Sequence, residues 1–379
     1  MDTKMSRRSM IKTASGAVAV ALAPSASTAG AATTTGKTMR AATITRASDQ
    51  FAESIRVVDD WPEPVPGAGQ LRVRTEASAL NHVDLWVGQR EGMDFPHISG
   101  SDGCGIVEAV GEGASEAWLG KRVIFNAALP ATDSAEPGAR PARPPEIGLV
   151  GSAMAGSMAE KFVVPEANVL DVGDADPVKA AAFSLTFITA WRMISTRARL
   201  KPDQTVLLTG IGGGVALAAL QIVRHIGSEV IVTSRHQWKL DKAKELGATN
   251  GILDRKQDWS EEVRTLTGGR GVDLCVDSVG KVLHARCIQS LAQGGTLTIC
   301  GTTTGGDAET MLGDIFWKQL SVLGSSMGNM DEYREVTALF REGRVEPVID
   351  KVYPSLEAPQ AYARLQASEQ FGKVVIRWS

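Results

Sequence analysis

Cysteine is scarce in this chain, the charges are nearly balanced, and there is no long apolar run. None of the four cysteines forms a CxxC pair, which argues against a zinc knuckle or a thioredoxin-like site. The net charge of −3 gives no reason to expect nucleic acid as a partner. The apolar stretch at residues 14–23 is too short to cross a bilayer, so no stable membrane insertion is expected. The remaining composition is that of an ordinary globular protein, and 379 residues predict two domains.

Residues 1–31 carry the pattern of an export signal rather than of a folded domain. Residues 6–12 resemble a twin-arginine signal through Arg7 and Arg8, and residues 29–31 offer small side chains for cleavage. We therefore expect export to the periplasm or the cell exterior. Two alternatives stay open: a disordered tail on a cytoplasmic protein, or a true start at Met39.

The most informative stretch is residues 205–216, TVLLTGIGGGVA, which predicts a buried strand, a glycine turn and the start of a helix. Gly210, Gly213 and Gly214 would let the backbone approach a ligand closely, and the free N–H groups of the helix N-terminus suit a pyrophosphate. A second strand at residues 229–233 follows at the spacing of a βαβ unit. The pattern predicts a dinucleotide site that also includes Val215.

The end of the second strand favours NADPH over NADH. An NAD site usually places Asp or Glu there to hold the ribose 2′-hydroxyl. This chain has Ser234 and Arg235 instead, with Lys239 one helical turn further on. Serine and cationic side chains can bind a 2′-phosphate through charge-assisted hydrogen bonds. The alternative is that these are ordinary charges at a solvated helix start.

The periodicity of the chain changes twice. Residues 39–165 are rich in turns and in short alternating strands, which predicts an antiparallel β domain. Residues 166–345 alternate short apolar runs with helical segments, as in a doubly wound parallel sheet. Residues 346–379 become strand-like again and are expected to return to the first domain. The predicted fold class is therefore α/β.

Several separated segments of the chain carry a family resemblance, namely residues 80–86, 100–113, 184–192, 276–280, 300–305 and 371–375. Together they resemble the medium-chain dehydrogenase/reductase superfamily, and within it the zinc-free quinone oxidoreductase branch. The resemblance implies a GroES-like catalytic domain at 39–165, completed by 346–379, a Rossmann domain at 166–345, and a homodimer.

The resemblance also bears on metals. Zinc enzymes of the superfamily hold a catalytic metal at positions that match Asn81, Ser101 and about Leu185 here, and none of these is a good zinc ligand. The lobe that carries a structural zinc in some relatives matches residues 127–146, which contain no cysteine. The lone histidines nearby, His82 and His97, are more simply hydrogen-bonding residues. Zinc is therefore not expected.

A site without a metal suits an acceptor that is already electrophilic, such as a quinone or an α,β-unsaturated carbonyl. We expect Asn81 and Ser101 to donate hydrogen bonds to its carbonyl oxygen, although Ser101 could equally cap a loop. Trp86 either lines the substrate cleft or packs at a domain interface, and Asp84 could be a turn or helix cap.

The expected function is an NADPH-dependent oxidoreductase acting on a small molecule that the sequence does not name. The alternatives are an alcohol dehydrogenase of the same superfamily or a non-catalytic NADPH-binding scaffold. The residues expected to bind cofactor are Thr189, Gly210, Gly213, Gly214, Val215, Ser234, Arg235, Lys239, Ser278, Gly301, Thr302 and Gly372.

Overall fold

The computed structural model describes residues 34–90, 92–129, 148–255 and 258–378, so the predicted export signal and most of the loop at 127–146 lie outside them. The strands of these residues, β1 to β17 in chain order, are Thr34–Ile44, Ile55–Pro64, Gln70–Ala79, Gly103–Val110, Arg122–Phe125, Ala128–Leu129, Gly148–Leu149, Lys161–Pro165, Val169–Asp171, Thr205–Leu208, Glu229–Ser234, Asn250–Leu253, Val272–Asp277, Leu291–Ile299, Ser321–Gly324, Ile349–Pro354 and Lys373–Arg377. Their helices, α1 to α10, are Phe51–Ser54, His82–Gln89, Pro177–Trp191, Gly214–Ile226, Gln237–Glu245, Ser260–Leu266, Lys281–Ser290, Leu312–Lys318, Met330–Arg341 and Ala358–Gln366.

The second domain is built on a six-stranded sheet in the order β12-β11-β10-β13-β14-β15. All of its neighbouring strands are parallel. Numbered from β10, this is the order 3-2-1-4-5-6 of the doubly wound dinucleotide-binding fold. The strand order reverses between β10 and β13, and ligands of such sheets bind outside the carboxyl ends of the strands at that point.

The first domain is built on a mostly antiparallel sheet in the order β16-β17-β3-β4-β5-β9, with β8 also paired to β3. The last strand, β17, pairs with β3 through Val375 and Ala79, so the carboxyl-terminal segment completes this sheet. β9 pairs with β5, which carries the first sheet past the expected boundary at residue 165. A 3₁₀ turn at Glu166–Asn168 returns the chain to the sheet there.

Helix α3 connects the two domains. It begins at an N-cap, Asp176, whose carboxylate accepts from the N–H of Lys179, and Pro177 is its first residue. Its side chains are buried nearly all round, because it packs against β3 and β4 on one side and α4 and α9 on the other. Phe183 and Phe187 stack with ring centroids 4.5 Å apart in this shared core. The two domains therefore meet over a continuous apolar contact.

Short strands account for most differences from the sequence-based prediction. The sequence does not predict β12 and β15, because NGIL and SVLG each hold only two apolar residues and a glycine, whereas the equally short β10, TVLL, has a clear apolar run. β1 begins at Thr34, ahead of Met39, and pairs Thr38 with Pro62 of β2. Among the described residues, no helix has the length and apolarity needed to span a membrane.

Candidate active site

A cleft of about 420 Å³ lies between the two domains, at the point where the order of the parallel strands reverses. Most of the residues expected from the sequence line it. Two do not, Ser101 and Thr302. The expected residues that line the cleft are Asn81, Trp86, Thr189, Gly210, Gly213, Gly214, Val215, Ser234, Arg235, Lys239, Ser278, Gly301 and Gly372.

The glycine turn connects β10 to α4. Gly210 has φ +63°, and a Cβ there would lie 2.9 Å from a methyl carbon of Val279 on the neighbouring loop, so no side chain fits without movement. Gly213 is the N-cap of α4 and has no side chain to satisfy the first N–H groups of the helix. Such a terminus favours an anion through its unpaired N–H groups and its dipole. The local geometry therefore fits the pyrophosphate of a dinucleotide.

Hydrogen bonds from β13 hold this turn in place. The hydroxyl of Thr209 donates to Oδ1 of Asp277 at 2.6 Å, and the N–H groups of Val279 and Gly280 donate to the same carboxylate. Asp277 is almost completely buried, and the loss of hydration raises its pKa in spite of these donors. The carboxylate thus fixes two loops of the cleft to each other.

The end of β11 presents positive charge to the cleft. Arg235 is exposed and has no ion-pair partner among the residues that the structure describes. Lys239 is buried and its Nζ donates to the carbonyl oxygen of Ser368 at 3.0 Å. Burial, and then the charge of Arg235, lower the pKa of Lys239. The acid that lines this end of the cleft, Asp254, forms an ion pair with Arg286 at 2.9 Å. The unpaired charge here is therefore cationic.

At the other end of the cleft, a buried polar cluster surrounds Asn81. Nζ of Lys373 donates to Oδ1 of Asn81 at 2.5 Å and to Oδ2 of Asp102 at 2.8 Å. Nδ2 of Asn81 donates to the same oxygen of Asp102 at 2.9 Å and to the hydroxyl oxygen of Ser101 at 3.2 Å. Oδ1 of Asp102 accepts from the N–H of Leu185 at 2.7 Å. We refer to Asn81, Ser101, Asp102 and Lys373 as the Asn81 cluster.

The roles expected for Asn81 and Ser101 need correction in this geometry. Both amide hydrogens of Asn81 already have acceptors, so the amide has no free donor for a substrate carbonyl. Ser101 is buried behind Asn81, away from the cleft, and accepts one of those hydrogens. Ser101 is therefore placed to hold the side chain of Asn81 rather than to contact a substrate.

Asp84 fixes the backbone around the cluster. Its Oδ2 accepts from the N–H of Asn81 at 2.7 Å and its Oδ1 accepts from the N–H of Gly100 at 2.9 Å. Asn81 is the N-cap of α2 and Asp84 its third residue, which makes a reciprocal capping box. Burial raises the pKa of Asp84 to about 6, against the effect of these two donors and of Lys373. The position of Asp84 in the structure is therefore that of a helix-capping residue, one of the roles expected from the sequence.

The donor set does not fit a catalytic zinc. Zinc is held in proteins by thiolates, imidazoles and carboxylates, whereas Asn81, Ser101 and Leu185 offer an amide, a hydroxyl and a hydrocarbon. The ammonium group of Lys373 also lies against both the amide oxygen of Asn81 and the carboxylate of Asp102, so a positive charge already neutralises the oxygen atoms that could attract a metal ion. Across the residues that the structure describes, no group of three His, Cys, Asp or Glu could hold a metal ion.

The remaining expected residues have mixed environments. Trp86 lines the cleft with 42% of its surface exposed, as a substrate-facing residue would. The hydroxyl of Thr189 donates to the carbonyl oxygen of Leu185 one turn earlier. Thr302 is exposed outside the cleft, and its neighbours Thr303 and Thr304 line the cleft instead. His97 makes an ordinary hydrogen bond to the carbonyl oxygen of Gly151 at 2.9 Å.

Sequence reasoning did not identify Asp102 and Lys373 as site residues. Both lie within segments that carry the family resemblance, but the sequence pattern alone predicts no functional role for either. The sequence does carry a signal, because each is a single charge among apolar or small residues: GSDGCGIV around Asp102, just before β4, and FGKVVI around Lys373, at the start of β17. A charge at such a position is seldom buried unless it is paired.

The fold and cleft define a dinucleotide-binding dehydrogenase or reductase, and known proteins agree. Residues 67–174 match the family described as alcohol dehydrogenase GroES-like domain, and residues 214–342 match the family described as zinc-binding dehydrogenase. The chain belongs to the medium-chain dehydrogenase/reductase superfamily.

Individual relatives span almost the whole chain. The zinc-type alcohol dehydrogenase-like protein YogA of Leptosphaeria maculans is 30% identical over 331 residues, which are 83% of this chain and 92% of that protein. Human quinone oxidoreductase is 24% identical over 337 residues, 86% of this chain and 94% of that protein. The solved structure of an NAD-dependent alcohol dehydrogenase has 34% identity and a TM-score of 0.82, and the match covers 90% of this chain and all of that one. The GroES-like domain and the parallel-sheet Rossmann domain are thereby established.

Proposed function

We propose that this oxidoreductase transfers hydride from NADPH to a quinone or an α,β-unsaturated carbonyl without zinc. The observation that carries the proposal is the Asn81 cluster. An amide and an ammonium group stand where zinc relatives need metal ligands, and Lys373 already supplies positive charge. The similarity to human quinone oxidoreductase supports the same chemistry.

The absence of suitable zinc ligands limits the substrates that the site can serve. An alcohol needs a Lewis acid or a strong base before hydride leaves its carbon. A quinone or enone needs only orientation and a donor near its carbonyl oxygen, where negative charge develops. The cleft offers Trp86 and Leu185 as apolar surfaces beside the polar cluster. We infer that these surfaces orient a flat, conjugated acceptor.

NADPH is proposed over NADH because the charge at the end of β11 is cationic. Ser234 stands where an NAD site has an acid, Arg235 has no ion-pair partner among the described residues, and Lys239 lies beside it. Bound NADPH would supply the hydride, and these residues would hold its 2′-phosphate. Because one solved relative is named as NAD-dependent, the binding of NADPH should be compared with that of NADH.

Alcohol dehydrogenase activity is the second candidate, since the YogA-like relative and the solved structure carry that name. Purified protein should be tested with NADPH and NADH against quinones, enones, alcohols and aldehydes, following cofactor absorbance, with its zinc content measured in parallel. We expect the protein to consume NADPH when a quinone or enone is present, and to contain no stoichiometric zinc. Zinc whose removal abolishes alcohol turnover would contradict it. Cofactor binding without any turnover would favour the scaffold alternative.

We further propose that the protein is a homodimer formed through β15. This strand is the edge of the parallel sheet and has β14 as its only neighbour among the described strands. The adjacent α8 exposes Phe316 and Trp317, with 61% and 77% of their surfaces accessible, and Val322 of β15 is 40% exposed. An open edge beside an apolar patch invites pairing with a second copy, which would cover both.

A further inference from the structure

Lys373 is the first residue of β17 and carries a charge into the floor of the cleft with only 4% of its surface exposed. An ammonium group has three N–H donors. Two are used, by Oδ1 of Asn81 and by Oδ2 of Asp102. Within the described part of the chain, the third N–H has no acceptor. A buried cationic donor that faces a cleft with one hydrogen unassigned is a candidate for contact with a ligand.

The neighbours of Lys373 leave it as the best donor at this end of the cleft. Both amide hydrogens of Asn81 are already donated, to Ser101 and to Asp102, and Ser101 does not line the cleft. His82 lines the cleft, but burial and then the charge of Lys373 lower its pKa, so its imidazole is neutral at neutral pH. A neutral imidazole N–H stabilises an oxyanion less than an ammonium group does.

Two polar partners hold the lysine in one place. The bonds to Asn81 and Asp102 fix Nζ, and Asp102 is itself fixed by the N–H of Leu185. The stem of Lys373 passes the start of α4, because a Cβ on Gly214 would lie 3.1 Å from its Cδ. The ammonium group is therefore held in place before any ligand binds. It lies beside the glycine turn, at the end of the cleft that holds the Asn81 cluster.

We propose that Lys373 is a catalytic residue whose third N–H donates to the carbonyl oxygen of the bound quinone or enone. This inference rests on the proposed function. It identifies Lys373 as the group that stabilises the negative charge on the substrate oxygen, as a metal ion would in a zinc enzyme. As hydride adds to the β-carbon of an enone, the C=C electron pair moves to form a new C=C bond to the carbonyl carbon. The C=O pair then moves onto oxygen, and the resulting enolate oxygen accepts the Lys373 N–H. A proton from water completes the reaction at the α-carbon, so that enone, NADPH and one proton give the saturated ketone and NADP⁺.

The variant that tests this is Lys373→Met, which keeps the length of the stem and removes the donor. Because it leaves Asp102 buried without its cation, the double variant D102N/K373M is measured beside it, which removes both charges. Lys161→Met is the control, since Lys161 forms an ion pair with Glu63 at 2.6 Å and neither residue lines the cleft.

The first readout does not need turnover. Para-nitrophenol carries an oxyanion when ionised, and its colour reports the ionisation directly. Bound to the wild type and the Lys161→Met control, it should ionise at least about one pH unit below the free phenol, because an ammonium donor favours the charged form. In D102N/K373M this shift should vanish. An equal shift in wild type and double variant would overturn the proposal.

The second readout separates substrate contact from cofactor contact. With an enone or quinone that the wild type reduces, kcat should fall about 10²–10³-fold in both Lys373 variants, while the Kd for NADPH changes less than about threefold. A large loss of NADPH affinity with kcat preserved would instead place Lys373 on the pyrophosphate and overturn the proposal. If the wild type reduces no quinone or enone, the proposed function fails, and the nitrophenol shift still reports whether Lys373 is an oxyanion donor.

Discussion

The backbone N–H of Gly372 donates to the carbonyl oxygen of Gly212 at 2.9 Å, which links the start of β17 to the turn that precedes α4. Lys373, the next residue, reaches into the Asn81 cluster from the same position. One short segment of the carboxyl terminus therefore touches both the predicted pyrophosphate turn and the predicted substrate end. Its backbone geometry should matter to cofactor binding as well as to stability.

The first prediction concerns Gly372→Ala. Gly372 has φ +114°, and a Cβ there would lie 2.3 Å from the carbonyl oxygen of Val348. The substitution should lower the free energy of unfolding by about 2–4 kcal/mol, because left-handed strain adds to a backbone clash. It should also weaken NADPH binding. The control is Gly294→Ala, with φ +74° and no atom within 4 Å, which should cost only about 1 kcal/mol. Equal losses in the two variants, measured by urea unfolding, would contradict the assignment.

The glycine turn is a part of the site that could be predicted from the sequence. Its residues lie within one short stretch, so local pattern alone predicted the strand, the turn and the helix start. The Asn81 cluster could not be assembled in this way, because Lys373 and Asn81 are 292 positions apart and meet only when β17 pairs with β3. The same limit applies to the prediction that Asn81 and Ser101 donate hydrogen bonds to a substrate carbonyl oxygen. Hydrogen-bond donors can be counted from a sequence, but whether they are already used depends on tertiary contacts.

The second prediction tests the choice of cofactor. Arg235→Asp should weaken NADPH binding roughly 10²-fold, because a charge-assisted hydrogen bond to the 2′-phosphate is replaced by repulsion. NADH, which lacks that phosphate, should bind as before or more tightly. Fluorescence titration of both cofactors gives the comparison. The control is Arg341→Asp on the exposed side of α9, which should leave both affinities unchanged. Unaltered NADPH affinity in Arg235→Asp would show that this arginine does not read the phosphate.

The third prediction follows from Asp84. Burial raises its pKa from an ordinary 3.8 to about 6, so the folded state binds this proton more tightly than the unfolded chain. The stabilisation that Asp84 contributes as a neutral acid is therefore lost as the pH rises from about 4 to about 6. Asp84→Asn cannot ionise and removes this dependence. Between pH 4 and pH 7, the free energy of unfolding of the wild type should fall by about 2 to 2.5 kcal/mol relative to that of the variant.

Urea unfolding of both proteins at several pH values measures that difference, and all the other titrating groups cancel because the two chains share them. Parallel stability curves would mean that Asp84 is ionised with an ordinary pKa. The two N–H donors from Asn81 and Gly100 would then outweigh burial.

The fourth prediction concerns the proposed dimer. Trp317→Glu places a charge in the apolar patch beside the edge strand β15 and should convert dimer to monomer in sedimentation velocity at micromolar protein. Leu356→Glu is the matched control, because Leu356 is also exposed, at 62%, but lies in the first domain. A wild type that sediments as a monomer, or a dimer that survives Trp317→Glu, would rule out this interface.

The last prediction concerns export, which we propose from residues 1–31. A Rossmann site exists only in the folded chain, and a nucleotide cofactor is made inside the cell. A twin-arginine route, which would carry the folded protein, therefore requires the cofactor to bind first, and the bound ligand would stabilise the fold by mass action. Because no NADPH pool is expected outside, the exported enzyme would have to retain its cofactor and regenerate it in place with a second substrate.

Cells expressing the native chain and its Arg7→Lys/Arg8→Lys variant should be fractionated and the amino terminus of each product determined. Export predicts mature protein beginning near Ala32 in the outer fraction, and its loss in the variant, with NADPH recovered from the mature protein after denaturation. Cleavage there would leave β1 whole, since that strand begins at Thr34. A start at Met39 would remove the pairing of Thr38 with Pro62. Uncleaved cytoplasmic protein in both cultures would exclude export, and the amino terminus would then identify the true start.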